Sequence, residues 1–160
     1  MLSVHIICVG KMKEKFYLDA AQEYSKRLSS YCKLTLTELP EEKLPQNPSQ
    51  SQIDAALAKE GQTIRAKLPA NACVVAMCVE GKLHSSEQLA QLVSSCALNS
   101  AKHLVFLIGG SFGLDPALKQ SAQMRLSMSP MTFPHHLARV LLLEQVYRAF
   151  KINEGSAYHK

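Results

Sequence analysis

Short apolar runs alternate with amphipathic helical patterns along the first half of the chain. Residues 4–9 form an apolar run typical of a buried strand, and apolar positions across 16–31 recur at three- and four-residue spacing, which predicts a helix. Leucines alternate with threonines across 34–39, which indicates a second strand. Three prolines among polar residues predict a loop over 40–50, and helical spacing returns across 53–68.

The second half continues the alternation. Residues 72–79 are almost continuously apolar, as expected of a central parallel strand that is covered on both faces. We interpret 80–82 (Glu-Gly-Lys) as a turn. Ser85 and Gln88 have the spacing of a capping box at the start of a helix, and 104–108 is the next buried strand.

This alternation of strands and helices predicts an α/β fold with a mainly parallel sheet and helices on both faces. The 160 residues suit a single domain over 1–160. No apolar stretch is long enough for a membrane span, and the order of zones in a signal peptide is absent, so we expect a cytoplasmic protein. The five cysteines include no C-x-x-C, which favours neither a disulfide framework nor a zinc ribbon.

The helix predicted over 135–150 is apolar on almost every side. Such a helix needs to be covered on more than one face, and one sheet covers only one. We therefore predict a homodimer in which a second subunit packs on this helix.

Positive charge is concentrated towards the end of the chain. Residues 1–115 hold twelve Lys/Arg and eleven Asp/Glu, a net charge of +1, whereas 116–160 hold six and two, a net charge of +4. A local positive field suits a polyanionic partner, because cations that contact phosphates release counterions. A basic surface without such a partner is an equally good explanation of the charge alone.

A glycine-rich turn follows the strand 104–108 directly. Gly109, Gly110 and Gly113 let the backbone approach a ligand closely, and Asp115 and Pro116 then begin a helix. The order G-G-x-x-G differs from the dinucleotide fingerprint, and the acid expected about 20 residues later is missing. A nucleotide-like ligand thus stays possible, a nicotinamide-dependent oxidoreductase is disfavoured, and a tight turn without any ligand is the alternative.

A second segment, 126–136, loses all periodicity. Pro130 and Pro134 bracket three residues and fix extended geometry, which suits a pocket formed by main-chain groups, although an ordinary strand-to-helix loop would look similar. His135 and His136 are adjacent and cannot face one metal ion together in a regular helix or strand, so we expect no metal site.

The final segment, 155–160, ends in Tyr158, His159 and Lys160. A tyrosine can stack on a base, a histidine can move a proton and a lysine can contact a phosphate. The alternative is a frayed terminus without a function.

Together these segments resemble the RlmH family, which comprises SPOUT-class enzymes that methylate N3 of a pseudouridine in large-subunit ribosomal RNA. The motifs that carry the resemblance are I-G-G-S-x-G-L from Ile108, L-S-x-S-x-M-T-F-P-H from Leu126, R-V-x-L-x-E-Q-x-Y-R-A from Arg139, and the final Y-H-K. V-G-K-x-K-E-K near the start and E-G-K at 80–82 match as well.

The resemblance implies a SPOUT fold with a C-terminal trefoil knot, and a homodimer with its S-adenosyl-L-methionine (SAM) pocket near the subunit interface. It implies no metal. The family often has lysine where Pro130 stands, and proline offers no amide donor, so this position departs from the pattern. The residues implied to contact SAM are Met77, Gly109, Met128, Ser129, Pro130, Met131, Thr132 and Phe133.

The same resemblance implies ribosomal RNA, within the ribosome or its large subunit, as the partner. N3 of pseudouridine bears a proton that must leave, so a base or an anion-stabilising group is needed near the methyl group. We expect His159 and Tyr158 in that role, with Arg139 as a phosphate or anion contact. A ribosome-binding protein of the same fold without catalytic activity is the remaining alternative.

Overall fold

A computed structural model describes residues 1–100 and 102–160. In this part of the chain five strands alternate with five helices. The elements are β1 (Ser3–Val9), α1 (Lys15–Leu28), β2 (Lys33–Leu39), α2 (Gln50–Arg65), β3 (Cys73–Leu83), α3 (Ser86–Leu98), β4 (His103–Ile108), α4 (Pro116–Ser121), β5 (Met124–Ser127) and α5 (His135–Asn153).

The strands form one parallel sheet in the order β2-β1-β4-β3-β5. The predicted α/β fold with a parallel sheet is therefore confirmed. All strands end at the same edge of the sheet, here called the carboxyl edge, where open α/β sheets bind their ligands. The loops after β1, β3, β4 and β5 meet there.

Helices cover both faces of the sheet, as predicted. On one face α1, α3 and α5 enclose a core that includes Ile6, Phe106 and Leu143, all almost fully buried. On the other face α2 and α4 contribute Ile64 and Leu118 to a second core. The alternate residues of each buried strand thus serve two cores, which explains why the strands are apolar without interruption.

The capping box at Ser85 is confirmed: its hydroxyl accepts a hydrogen bond from the Gln88 amide, at 3.1 Å. Asp115 caps α4 as predicted, and Pro116 occupies the first turn. Position 61 of α2 requires glycine, because a Cβ there would be 2.7 Å from Oδ2 of Asp115. The glycine therefore brings α2 against the start of α4.

The predicted turn at 80–82 is wrong, because β3 continues to Leu83. Met77 and Lys82 both pair with Leu126 of β5, so the residues between them leave the ladder and pairing then resumes. A Cβ on Gly81 would lie 2.8–2.9 Å from backbone atoms of Arg125 and Leu126, so glycine permits this close passage. The residues at 80–82 are typical of turns and indicate that the pairing with β5 is interrupted. They do not indicate that the pairing resumes at Lys82. The trefoil knot stays a prediction.

Among the helices of the described residues, none combines the length and the apolarity needed to cross a membrane.

Candidate functional site

A cavity of about 290 Å³ opens at the carboxyl edge, where the loops after β3, β4 and β5 meet the start of α5. A second cavity, of about 250 Å³, adjoins it. The walls of both cavities are mostly apolar, with a few polar groups, which is the usual composition of a small-molecule site. The residues that line both cavities are Met77, Leu126, Met128 and Phe133.

The glycine turn forms one wall of the first cavity. A Cβ on Gly109 would lie 2.3 Å from the backbone carbon and oxygen of Gly113, so only glycine allows the turn to fold this tightly. Gly113 has a φ of 81°, which favours glycine, and its amide donates to the carbonyl of Gly110 at 3.1 Å. The carboxylate of Glu41, from the loop after β2, accepts a hydrogen bond from the Ser111 amide at 2.8 Å.

The proline-braced loop after β5 forms the opposite wall. The Ser127 hydroxyl donates to the carbonyl of Ser129 at 3.0 Å, and the Ser129 hydroxyl accepts a hydrogen bond from the amide of Met131, also at 3.0 Å. These bonds hold the loop without regular secondary structure. Met131 and Phe133 remain exposed apolar side chains at the cavity.

The structure brings together most of the predicted SAM contacts. Pro130 and Thr132 belong to the same loop but do not line either cavity. That all eight residues bind SAM stays a prediction. The six that line the first cavity are Met77, Gly109, Met128, Ser129, Met131 and Phe133.

Several lining residues were not anticipated from the sequence. Lys119 of α4 forms a 2.5 Å ion pair with Glu80 at the rim. Phe112 also lines the cavity. Its position within the glycine turn is the feature of the sequence that could have identified it. His135, the last residue of the motif that begins at Leu126, lines the cavity from the first turn of α5. Burial, reinforced by the neighbouring His136, lowers the pKa of His135, so its imidazole is neutral at pH 7.

Arg139 is buried and lies outside the cavity. Its guanidinium donates to Oε2 of Glu38 at 2.6 Å and to the carbonyl of Gly10 at 3.1 Å. Burial opposes ionisation of Glu38, but the Met12 amide and Arg139 outweigh it and hold the pKa of that carboxyl below its ordinary value. In this arrangement Arg139 joins α5 to the ends of β1 and β2. Its predicted contact with an anion stays a prediction.

The side chains of Tyr158 and His159 pack against α3 and α5. They line neither cavity. The Tyr158 hydroxyl donates to Glu144 at 3.2 Å, and the imidazole of His159 lies 2.8 Å from Glu87 and 3.2 Å from Arg148. Burial, with Glu144 beside it, raises the pKa of Tyr158. Within one subunit the final segment is therefore kept apart from the pocket.

His, Cys, Asp and Glu side chains nowhere gather in groups of three or more that could hold a metal ion, across residues 1–100 and 102–160.

A parallel α/β sheet with an apolar pocket beside a glycine turn at its carboxyl edge defines a class of proteins that bind small nucleotide-like ligands. Comparison with known proteins narrows the class. A family model described as "Predicted SPOUT methyltransferase" matches residues 2–159. The chain belongs to the SPOUT methyltransferase family.

Relatives with the name Ribosomal RNA large subunit methyltransferase H share the full length of the chain. Those of Bifidobacterium adolescentis and Clostridium novyi are each 48% identical over 159 residues, which is 99% of this chain and 100% of those proteins. That of Leuconostoc mesenteroides is 43% identical over the same coverage. The family assigned from the motifs is confirmed.

Proposed function

We propose that this protein binds SAM in the cavity at the carboxyl edge and transfers its methyl group to N3 of a pseudouridine in large-subunit ribosomal RNA. The cavity between the glycine turn and the proline-braced loop is the observation that carries this proposal. Relatives at 43–48% identity are named for methylation of that RNA. The choice of N3 of pseudouridine rests on the motifs shared with the RlmH family.

The residues present fit SAM. Two adjoining cavities of about 290 and 250 Å³ have room for an elongated ligand, in the size range of cofactor sites. The apolar walls suit an adenine ring and the methylene groups beside the sulfonium, and the Glu80–Lys119 ion pair suits a zwitterionic amino-acid end. When bound, SAM supplies an electrophilic methyl group on its sulfonium.

The chain must then align the attacking nitrogen and remove its proton. As N3 bonds to the methyl carbon, the carbon–sulfur bond breaks and the N3 proton passes to a base. The phenol of Tyr158 is protonated at pH 7, as an ordinary tyrosine is, which suits it to donate a hydrogen bond to the developing anion. We assign His159 as the group that takes the proton.

Because the final segment lies outside its own pocket, we propose that it serves the pocket of a partner subunit. Exposed apolar side chains near the mouth of the cavity give a second subunit a surface to bury. A homodimer through α5 and this surface would bring the two parts of the site together. The exposed side chains are Val79, Phe112, Met131 and Phe133.

Methyl transfer from radiolabelled SAM to ribosomes that lack the modification tests the proposal. Purified 70S ribosomes, isolated large subunits and naked ribosomal RNA are compared, and the labelled RNA is digested to nucleosides for mass spectrometry. We expect N3-methylpseudouridine from the assembled particle and much less from naked RNA. Label in any other nucleoside would contradict the assigned position.

The same assay separates the alternatives. A non-catalytic ribosome-binding protein would bind the particle without transfer, and a nicotinamide-dependent oxidoreductase would bind NAD(H) in place of SAM. Calorimetry with SAM and with NADH on the purified protein distinguishes the last case. Removal of residues 158–160 should abolish transfer and leave SAM binding intact, whereas unchanged turnover would exclude a catalytic role for the final segment.

A further inference from the structure

The loop after β1 forms a basic surface beside the pocket. Residues 10–16, here called the basic loop, comprise this loop and the first two residues of α1, and contain three lysines and one glutamate, a net charge of +2. The loop leaves the carboxyl edge from β1, which is the neighbour of β4 and its glycine turn. Gly10 lies close to His135 of the pocket wall: a Cβ added to this glycine would be 3.6 Å from Nε2 of the His135 ring. The loop and the cavity therefore open on the same side of the molecule.

A buried clamp fixes this loop. Gly10 turns the chain with a φ of 99°, and its amide donates to the carbonyl of Leu39 at 2.7 Å. The Met12 side chain is buried, and its amide donates to Oε2 of Glu38 at 2.8 Å. The same oxygen accepts the 2.6 Å bond from Arg139, which also holds the carbonyl of Gly10. Because the loop is held at Gly10 and at Met12, its first part is fixed in one conformation. A fixed loop loses less conformational entropy when it binds a partner.

Two of the three lysines of the basic loop form no ion pair with a carboxylate of the described residues. Glu14 lies 3.3 Å from His136, and Lys15 pairs with Asp19 at 2.7 Å. Lys11 and Lys13 are exposed and form no ion pair within the described residues 1–100 and 102–160. Two unpaired ammonium groups on a fixed loop can neutralise phosphates of a nucleic-acid backbone.

An exposed aromatic ring stands next to these lysines. Phe16 is 67% exposed, and its ring centroid lies 4.4 Å from that of Tyr17. Tyr17 is in edge contact with His136, at 6.4 Å between centroids, and His136 with His135, at 4.3 Å. Aromatic rings thus run continuously from the basic loop to the pocket wall. An exposed phenylalanine beside cations is the combination on which unpaired bases stack.

We infer that the basic loop binds the single-stranded RNA that flanks the methylated nucleotide, with Lys11 and Lys13 on phosphates and Phe16 stacked on a base. Arg139 and Glu38 act through this loop as positioning residues. The inference rests on the proposed function, because it assigns the surface by which that site receives its RNA.

Binding to large ribosomal subunits over a range of salt concentrations tests the inference. The variant is Lys11→Gln with Lys13→Gln, and the matched control is Lys33→Gln with Lys67→Gln. The control removes two exposed lysines at the opposite edge of the sheet, one at the first residue of β2 and one in the segment between α2 and β3. We expect the first variant to bind about tenfold more weakly at physiological salt, with the slope of log K against log salt reduced by about 1.5. The control should match the wild type in both.

Phe16 is tested separately by Phe16→Ala and by Phe16→Tyr, which keeps a stacking ring. Loss of stacking should weaken binding roughly tenfold in the alanine variant and little in the tyrosine variant. SAM affinity by calorimetry and melting by circular dichroism should be unchanged in all of these variants. Such a result places the defect in RNA binding and not in folding or in the pocket.

The inference is overturned if the Lys11 and Lys13 variant binds large subunits with the same affinity and salt slope as the control, or if Phe16→Ala binds them as tightly as Phe16→Tyr. Failure of the proposed function gives a different result, since wild-type protein would then transfer no methyl group while its binding to RNA still depended on the basic loop.

Discussion

Two glycines of the same turn are needed for different physical reasons, and this makes the pocket testable at the scale of single residues. Gly109 is needed because a Cβ would collide with the backbone of Gly113 at 2.3 Å. Gly113 is needed for its positive φ, and nothing lies within 4 Å of the Cβ it would carry. Backbone cannot move aside as a flexible side chain can, so the first constraint is the stricter one.

We predict that Gly109→Ala weakens SAM binding by at least about tenfold, because the turn must open and the pocket wall moves with it. Gly113→Asn should change binding little, since asparagine adopts positive φ at low cost. Titration calorimetry with SAM measures both. Equal losses of SAM affinity in the two variants would contradict this difference between the two glycines.

A histidine pair at the other edge of the sheet makes stability depend on pH. Nε2 of His5 lies 3.1 Å from Nδ1 of His103. Burial, with His103 and Lys33 nearby, lowers the pKa of His5. Its folded-state pKa is thus below the unfolded value, so the contribution to stability is complete above about pH 6.5 and is lost as the pH falls towards the folded-state pKa.

We predict that the melting temperature of the wild type falls between pH 8 and pH 5.5 by about 1–2 °C more than that of His5→Gln. The glutamine can keep a hydrogen bond and cannot take up a proton. His84→Gln, at a half-buried histidine whose ring bonds the carbonyl of Lys82, is the control and should follow the wild type. Thermal melts in matched buffers give the melting temperature of each protein at each pH. If the melting temperatures of all three proteins fell equally with pH, the effect could not be assigned to His5.

Arg139 shows what residue patterns leave undetermined. A cation in a helix adjacent to a proposed RNA site favours an anion contact, yet the side chain is 4% exposed and bonded to Glu38 and Gly10. Its partners lie about a hundred residues or more away in sequence. No spacing within α5 indicates which distant carboxylate will meet it, so its buried position could only come from the fold.

At the scale of elements, α5 agrees with its pattern only in part. The helix has apolar residues on almost every side, and the pattern correctly indicates burial on more than one face. The subunit itself supplies much of that cover, because α1 and α3 flank the helix and the final segment packs on it through Tyr147 and Tyr158 at 5.1 Å between ring centroids. The remaining half-buried positions are those available to a second subunit.

Leu141 is one of these positions, half-buried at the second cavity. We predict that Leu141→Glu converts the proposed dimer to a monomer at micromolar concentration, because a carboxylate at an apolar interface loses its hydration without gaining a partner. Leu98→Glu is the matched control, since Leu98 is 85% exposed near the end of α3. Native mass spectrometry reports the mass directly, and a Leu141→Glu protein that remained dimeric would place the interface elsewhere.

For the whole molecule, local patterns determine more of the fold than of the site. The strands, the capping box at Ser85 and the glycine turn follow from periodicity and residue type. The return of β3 to pair with β5 across Gly81 does not, because pairing between distant segments leaves no local signal. The pocket is assembled from four separate loops and helix ends, so the shared motifs of the family predicted its residues where periodicity could not.

The separation of the final segment from its own pocket leads to a prediction about the proposed dimer. A subunit with Gly109→Ala has a weakened SAM pocket but keeps its final segment, whereas a subunit with Tyr158→Ala and His159→Ala has the reverse defect. At a SAM concentration too low to fill the weakened pocket, each protein alone should be almost inactive. If the final segment serves the partner's pocket, mixed dimers regain one complete site, and an equimolar mixture should recover about a quarter of wild-type methyl transfer.

Subunit exchange in the mixture is verified by native mass spectrometry, with one partner isotopically labelled. The same pair of proteins, assayed immediately after mixing and before mixed dimers are detected, is the control, and its activity should not recover because each dimer still contains only one kind of defect. No recovery in the first mixture, despite verified exchange, would mean that each final segment serves its own pocket. In that case Tyr158 and His159 would have to leave Glu144 and Glu87 and move to the cavity within one subunit.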